Sequence, residues 1–240
     1  DEKHVEAIRF AVKKTAGRVP VIAGAGSNHT SYAQWMSKQA KDAGADALLH
    51  VTPYYNKTSQ AGLVKHFMTL ADTTDLPVIL YNVPSRTGCN ITPATYKELS
   101  KHPNIVATKE ANGNLSAILE TRYLCGEDLD IYSGNDDQIV PILSLGGKGV
   151  ISVLSNVMPK EAHDICQLFF DGKVAESAAL QTKLCGLIQA LFCDVNPIPV
   201  KEAVSLMGYA AGPCRLPLVG LNDANKARLR GEMEKFGLVK

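Results

Sequence analysis

Residues 77–109 have the sequence PVILYNVPSRTGCNITPATYKELSKHPNIVATK, in which two short apolar runs flank a helical segment. Residues 77–83 and 104–109 predict strands, and residues 93–100 predict the helix between them. Both strands are apolar runs without strict alternation, as expected for a parallel sheet that is covered on both faces. This stretch therefore predicts a strand–helix–strand unit of a parallel α/β protein.

The same alternation recurs along most of the chain, after an opening helical face marked by Val5, Ile8 and Val12. Six strands are predicted at residues 19–25, 47–52, 77–83, 104–109, 129–133 and 149–154. The helices that follow them are predicted at residues 30–43, 62–71, 93–100, 115–124, 138–145 and 161–170. Such alternation is typical of a barrel or of a doubly wound sheet. No GxGxxG follows a strand, which disfavours the dinucleotide-binding version.

The pattern changes after Phe170, where strand signals stop. Three further helices are predicted at residues 180–192, 200–207 and 223–236. We expect this region to be a helical appendage packed on the barrel. The predicted organisation is a partial (β/α) barrel over residues 1–172 and a C-terminal helical region over residues 173–240.

Composition excludes several classes of function. Twenty-five basic and twenty-four acidic residues give a net charge of +1, so the chain has no electrostatic footprint for nucleic acid or for an anionic membrane. No apolar run approaches the length of about 20 residues that a membrane span needs. Six scattered cysteines without a CxxC pair, together with the lack of a basic-then-apolar leader, predict a cytoplasmic protein with reduced thiols. The six histidines show no metal-ligand spacing, so we expect no metal.

Polar and aromatic residues gather just after the predicted strands, which is where barrel enzymes keep their active sites. Lys109 ends an otherwise apolar strand. Partial burial lowers the pKa of an amine and leaves more of it in the neutral form that attacks a carbonyl. The alternative is a lysine at the barrel rim that extends to solvent and pairs with Glu110. The strand pattern alone does not choose between these interpretations.

Other strand-end residues allow two interpretations in the same way. Tyr81 supplies a phenol that could move protons, or it could simply pack. Arg86 lies in a loop rich in proline and glycine, where its guanidinium could bind a carboxylate or point to solvent. Tyr54 and Tyr55 could form an interface or a core aromatic pair.

Several motifs together resemble the dihydrodipicolinate synthase family, which belongs to the pyruvate aldolases that include N-acetylneuraminate lyase. They are VTPYYN (51–56), YNVPSRTG (81–88), IVATKEANGNL (105–115), YSGND (132–136), GVISV (149–153) and NPIPVK (196–201). The resemblance covers essentially the whole chain in the family's order and spacing. It implies a (β/α)8 TIM barrel and a class I aldolase that condenses pyruvate with aspartate semialdehyde in lysine biosynthesis.

The resemblance also implies roles for single residues. Lys109 would form the Schiff base with pyruvate, and Tyr81 would be the general acid and base. Tyr55 would enter the site of a neighbouring subunit and complete a proton relay, which implies a homo-oligomer, either a dimer or a tetramer. Arg86 would bind the carboxylate of aspartate semialdehyde. This chemistry requires no metal and no organic cofactor.

Further positions match the family outside this group. Ile151 would offer its backbone carbonyl to the site, and Gly134 would leave room beside the imine. His4, Asn28 and Tyr54 match the site at which some family members bind lysine as a feedback inhibitor. Tyr32 stands where an acidic residue of that site would be expected, so we predict weak or absent inhibition by lysine.

The chain departs from the family pattern at its start. Counterparts of the first strand, the first helix and the second strand are missing, together with a Gly-Thr-Thr-Gly-Glu loop that holds the pyruvate carboxylate. We therefore expect six of the eight barrel strands. A fragment of a whole enzyme, a truncated enzyme and an inactive structural or regulatory homologue are the competing explanations. Another pyruvate-dependent sugar-acid aldolase is the enzymatic alternative, which Arg86 disfavours.

Overall fold

A computed structural model describes residues 2–239, and six strands alternate with helices along this part of the chain. The strands are β1 (Ile22–Gly24), β2 (Ala47–Val51), β3 (Val78–Asn82), β4 (Ile105–Glu110), β5 (Asp130–Ser133) and β6 (Gly149–Val150). The longer helices are α1 (Glu2–Thr15), α2 (Thr30–Asp42), α3 (Gln60–Ala71), α5 (Pro93–Leu99), α6 (Leu115–Cys125), α8 (Pro159–Phe170), α9 (Val174–Leu191), α10 (Ile198–Leu206) and α11 (Asp223–Glu234). Two short α-helices, α4 (Pro84–Thr87) and α7 (Ile139–Ser144), and three 3-10 turns complete the order of the described residues.

The six strands follow one another in the order of the chain within one sheet. β1 with β2, β2 with β3, and β3 with β4 pair in parallel. The β3–β4 register shifts between Val78 and Ile79, so that Ile79 pairs with Ala107 and Val106 is left without a partner in the ladder. The six parallel strand–helix units and the helical C-terminal part confirm the predicted fold class, a partial TIM barrel.

Two compact units divide these residues. The first contains the described residues up to Tyr132 together with Leu145–Lys148, and the second contains Ser133–Ser144 and the described residues from Gly149 onward. In the first unit, α3, α5, β3 and β4 supply fully buried side chains such as Phe67, Leu80 and Leu99. In the second unit, α8, α9 and α11 enclose a core of their own. The division expected after residue 172 stays a prediction.

Local signals at the helix ends agree with the sequence. The side chains of Ser59, Thr92 and Asn114 cap α3, α5 and α6 by accepting hydrogen bonds from backbone N–H groups of the first turn. Pro93 follows its cap at the first helical position, where its missing N–H costs no hydrogen bond. These caps fix where the chain leaves each strand-end loop. Among residues 2–239, no helix is long and apolar enough to cross a membrane.

Two predicted strands are wrong in length, for a common physical reason. The strand predicted at residues 149–154 ends at Val150, because the carboxylate of Asp136 accepts the backbone N–H groups of Val153 and Leu154 and a 3-10 turn follows. The strand predicted at residues 19–25 is reduced to β1, and the Asp46 carboxylate accepts the N–H of Val21. In both places an acidic side chain from elsewhere in the chain takes up backbone donors.

Candidate active site

Lys109 and Tyr81 lie side by side on neighbouring strands. Tyr81 in β3 pairs with Lys109 in β4, and the Nζ atom of Lys109 lies 4.2 Å from the centroid of the Tyr81 ring. Both side chains therefore project from one face of the sheet, which we call the reactive face. The fold brings together the amine and the phenol that the sequence singled out.

Burial raises the pKa of the Tyr81 phenol, and the positive charge of Arg86 opposes that rise. The hydroxyl is therefore protonated near neutral pH, which is the form that can give a proton to a reacting oxygen. The electrostatic influence of Arg86 on Tyr81 also shows that the guanidinium lies in the neighbourhood of the pair. Three of the predicted site residues thus form one group in the first unit.

The turn that carries Arg86 is fixed by hydrogen bonds on its buried side. Arg86 is exposed within α4, the single helical turn that follows β3. The hydroxyl of Thr87 donates to the carbonyl of Cys89 at 3.0 Å and accepts from the hydroxyl of Thr52 at 3.0 Å. The backbone below Arg86 is therefore held in place while its guanidinium reaches solvent.

Lys57 is a second cation beside this turn, which the sequence analysis missed. Gly88 ends α4 with a left-handed φ of 68°. A Cβ added at Gly88 would lie only 2.7 Å from the Cε atom of Lys57, so the lysine side chain passes over the glycine. No motif connects the two positions, because the contact depends on how the loop after β2 folds back.

Tyr54 and Tyr55 occupy the loop after β2 but differ in exposure. Tyr55 has a left-handed φ of 67° and is 92% exposed, so its ring stands in solvent rather than against Tyr81. Tyr54 is 42% exposed, and its carbonyl accepts hydrogen bonds from the side-chain amide of Asn28 and from the backbone of Asn56. The loop backbone is ordered by these bonds, while the Tyr55 ring is unsupported within its own chain.

The residues that match the lysine site of the family are only partly joined. Asn28 and Tyr54 are linked by the hydrogen bond between side-chain amide and carbonyl. His4 is exposed on α1. Tyr32 stacks on Trp35 of the same helix, with 5.5 Å between the ring centroids. An aromatic pair therefore occupies the position at which an acidic side chain was expected.

Gly134 and Ile151 belong to the second unit. Gly134 directly follows β5, and the backbone N–H of Ile151 donates to the carbonyl of Ser133 at 2.9 Å. The NPIPVK stretch of this unit lines a cavity of about 440 Å³, in which Lys201 donates from its Nζ atom to the carbonyl of Ala211 at 2.8 Å.

Glu110 lies on the opposite side of β4 from Lys109, since successive side chains of a strand alternate. Its carboxylate is buried and accepts hydrogen bonds from Asn82 and Tyr96. The sequence suggests Glu110 only as an ion-pair partner of Lys109, and no sequence pattern singles out Asn82 or Tyr96. The alternation of side chains along β4 predicts that Glu110 points to the face opposite Lys109. Its contact with Tyr96 on α5 is visible only in the folded chain.

His50 and His66 are buried. Burial lowers the pKa of His50 to about 3, with the nearby His66 contributing, and burial lowers the pKa of His66 to about 4. Thr30 bonds to the Nδ1 atom of His66, and Ser37 lies 3.4 Å from the Nε2 atom of His50. In the part of the chain from 2 to 239, no three His, Cys, Asp or Glu side chains come together as metal ligands would.

Comparisons with known proteins point to one family. The sequence profile of the dihydrodipicolinate synthetase family matches residues 1–235. The 4-hydroxy-tetrahydrodipicolinate synthase of Caldicellulosiruptor saccharolyticus is 56% identical over 238 residues, which are 99% of this chain and 80% of that protein. The enzyme of the same name from Lachnoclostridium phytofermentans is 54% identical over 239 residues, covering 99% of this chain and 81% of that protein.

Solved structures show the same similarity in three dimensions. The crystal structure of dihydrodipicolinate synthase from Thermotoga maritima is 40% identical, with a TM-score of 0.97 over 100% of this chain and 82% of that one. The dihydrodipicolinate synthase from Aquifex aeolicus is 41% identical, with a TM-score of 0.97 over 99% of this chain and 82% of that one. The chain therefore belongs to the dihydrodipicolinate synthetase family and, with it, to the pyruvate-dependent lyases of lysine biosynthesis.

Proposed function

We propose that this chain condenses pyruvate with aspartate semialdehyde to 4-hydroxy-tetrahydrodipicolinate, with Lys109 as the Schiff-base residue. The observation that carries this proposal is the placement of the Lys109 amine 4.2 Å from the Tyr81 ring, at the end of two paired strands. The electrostatic effect of Arg86 on Tyr81 supports a carboxylate-binding cation in the same neighbourhood. The names of the relatives support the choice of aldehyde.

The reaction begins when the neutral amine of Lys109 attacks the keto carbon of pyruvate, forming a C–N bond while the carbonyl oxygen takes a proton. Tyr81 supplies protons as the carbinolamine loses water and becomes a protonated imine. The imine draws electrons from the adjacent methyl group, so a C–H proton leaves and an enamine forms. Because the Tyr81 phenol is protonated near neutral pH, it can serve as the donor in the first step.

The enamine carbon then attacks the aldehyde carbon of aspartate semialdehyde, which forms the new C–C bond, and the aldehyde oxygen takes a proton. The amino group of the product attacks the imine carbon, expels the amine of Lys109 and closes the ring. Arg86 would hold the carboxylate of the aldehyde substrate, because its planar guanidinium can donate two parallel hydrogen bonds. No metal and no organic cofactor takes part in this scheme.

Gly134 and Ile151 are proposed as substrate-binding residues, Gly134 through its lack of a side chain and Ile151 through its backbone carbonyl. We further propose a homo-oligomer, a dimer or a tetramer, in which Tyr55 enters the site of a neighbouring copy. A 92% exposed tyrosine with a left-handed backbone supports this, because an aromatic ring usually finds contacts that repay such a conformation. If the oligomer proposal holds, Tyr55→Ala slows condensation; a monomer at assay concentration contradicts it.

A cytoplasmic location is part of the proposal. Its support is the set of six free cysteines, which is typical of reducing compartments. His4, Asn28 and Tyr54 are proposed as remnants of a lysine site, with the Tyr32–Trp35 pair weakening the response to lysine.

Reductive trapping tests the central role of Lys109. Incubation with pyruvate and borohydride should add one reduced pyruvyl group per chain, measured by intact mass. Lys109→Ala should abolish this gain, whereas the matched control Lys57→Ala should keep it, because Lys57 lies at the Gly88 turn rather than beside Tyr81. A missing gain in the unmodified chain would favour an inactive homologue. A gain that persists in Lys109→Ala would move the nucleophile elsewhere.

A further inference from the structure

Asn82 and Glu110 are the residues that directly follow Tyr81 and Lys109, and they form the next pair in the β3–β4 register. Side chains alternate along a strand, so this second pair lies on the far face of the sheet, behind the reactive face. Any force that holds Asn82 to Glu110 therefore also holds the backbone positions from which Tyr81 and Lys109 project.

The far-face contact is dense in hydrogen bonds. The side-chain amide of Asn82 lies 3.1 Å from each carboxylate oxygen of Glu110, so its N–H group is shared between them. The hydroxyl of Tyr96 donates to one oxygen at 2.7 Å, and the backbone N–H of Asn112 donates to the other at 2.9 Å. Asn82, Tyr96 and Glu110 are 0%, 1% and 2% exposed.

The same residues bind the surrounding segments to the strand ends. The carbonyl oxygen of the Asn82 side chain accepts from the backbone N–H of Ile91, and its amide also donates to the side chain of Asn90. The Tyr96 hydroxyl lies 3.0 Å from the hydroxyl of Thr108. Through Asn82, Tyr96 and Glu110, the strands β3 and β4, the helix α5 and the loops after α4 and β4 meet at one carboxylate.

Packing between the sheet and α5 does not by itself require a buried carboxylate at position 110. Apolar side chains fill such a position without the cost of removing a charge from water. The hydrogen bonds satisfy the carboxylate but do not explain why one is present. Its position, one residue after the proposed nucleophile and opposite the residue after Tyr81, suggests that it serves the reactive pair.

We propose that Asn82, Tyr96 and Glu110 form a carboxylate clamp that positions Tyr81 and Lys109 for imine formation. Glu110 acts through the backbone and not on the substrate, so it is a positioning residue; the inference rests on the proposed role of Lys109. The clamp needs the ionised carboxylate, because all of its described partners here donate hydrogen bonds. A proton on Glu110 would remove the negative charge from these hydrogen bonds and so weaken them.

Glu110 can gain or lose its proton near neutral pH. Burial raises its pKa to about 7, although the bonds from Tyr96, Asn82 and the backbone hold it lower than burial alone would. Tyr96 of α5 is the titratable group that contacts it among the described residues. Burial, followed by the Glu110 charge, raises the pKa of Tyr96 well above its ordinary value, so Tyr96 stays neutral. Asn82, Asn112 and Thr108 supply no charge. The rate of imine formation should therefore fall as pH drops below about 7.

Two variants and one control test the clamp by timed borohydride trapping of pyruvate across pH, with steady-state kinetics alongside. Glu110→Gln keeps the shape of the side chain and removes its charge. We expect kcat to fall by up to about a hundredfold, the cost of misplacing reacting groups by about 1 Å, with a much smaller change in KM for pyruvate. Tyr96→Phe removes one donor to Glu110, which raises the pKa of that carboxyl. The fall of the trapping rate at low pH, which we call the acid limb, should therefore move to higher pH. Ser177→Ala removes a buried hydrogen bond to the Ile165 carbonyl in the second unit and should leave the acid limb in place.

The outcomes separate the clamp from the proposed function. If the unmodified chain traps no pyruvate on Lys109, the proposed function fails and the clamp with it. If it traps pyruvate but Glu110→Gln reacts at an unchanged rate, the clamp alone is refuted. Should Glu110→Gln fail to fold in a thermal melt, Tyr96→Phe decides: an acid limb that stays in place refutes the clamp, and one that moves to higher pH supports it.

Discussion

His50 should make the fold sensitive to acid, and His50→Leu should remove the part of that sensitivity that His50 contributes. In the folded chain the pKa of His50 is lowered from 6.5 to about 3 by burial and by the nearby His66. The folded state therefore keeps His50 neutral, while the unfolded chain takes up a proton below pH 6.5. The stabilisation is complete above pH 6.5 and is lost as pH falls toward the folded pKa.

The magnitude follows from the distance between pH and the unfolded pKa. At pH 5 the unfolded histidine lies 1.5 units below its pKa of 6.5, and each unit corresponds to about 1.4 kcal/mol. His50 thus costs the fold about 2 kcal/mol at pH 5 relative to pH 8. Glu110, whose pKa is raised to about 7, acts in the opposite direction. The unmodified chain and His50→Leu both carry Glu110, so its contribution cancels when their free energies of unfolding are compared.

Urea unfolding at pH 8 and at pH 5 measures this effect. Between these pH values, His50→Leu should lose about 2 kcal/mol less of its free energy of unfolding than the unmodified chain. His163→Leu is the matched control, because the His163 side chain is exposed, so its curve should follow that of the unmodified chain. Equal losses in His50→Leu and in the unmodified chain would refute the reasoning, whatever the absolute stabilities.

Three further predictions concern activity. Tyr81→Phe should slow pyruvate trapping by about a hundredfold, since it removes the proton donor beside Lys109; an unchanged trapping rate contradicts the proton-transfer role. Arg86→Ala should raise KM for aspartate semialdehyde and leave the pyruvate adduct unchanged, and a lost adduct would instead place Arg86 at pyruvate. Initial rates should change little in millimolar lysine, because Tyr32 packs on Trp35; strong inhibition would overturn this expectation, and Tyr32→Glu should then show whether an acidic side chain adds to the response.

The sequence predicted those features that depend on a single strand or helix. Apolar runs marked all six strands. The position of Lys109 at the end of one of them made it a candidate, and the family motifs around it favoured the nucleophile over a lysine at the rim. Strand ends were less predictable, because Asp136 and Asp46 take up backbone donors that a ladder would otherwise use. That competition arises between residues far apart in the chain, so a local window cannot detect it.

The far-face cluster was unpredictable for a related reason. Glu110 beside Lys109 suggested an ion pair, whereas alternation along β4 sends the two side chains to opposite faces. Asn82 and Tyr96 looked like part of a motif and part of a helix, and only the packing of α5 on the sheet brings them to one carboxylate.

The register shift in β3 and β4 has a consequence for any attempt to rebuild this site. Val106 takes no part in the β3–β4 ladder; if it paired with Ile79, regular pairing from Val78 and Ile105 would set Tyr81 opposite Thr108 instead of Lys109. The pairing of Tyr81 with Lys109 is therefore set at Val106, three residues before Lys109. A residue added between Val106 and Lys109 would move Lys109 out of register with Tyr81, so insertions there should be far less tolerated than in the loops.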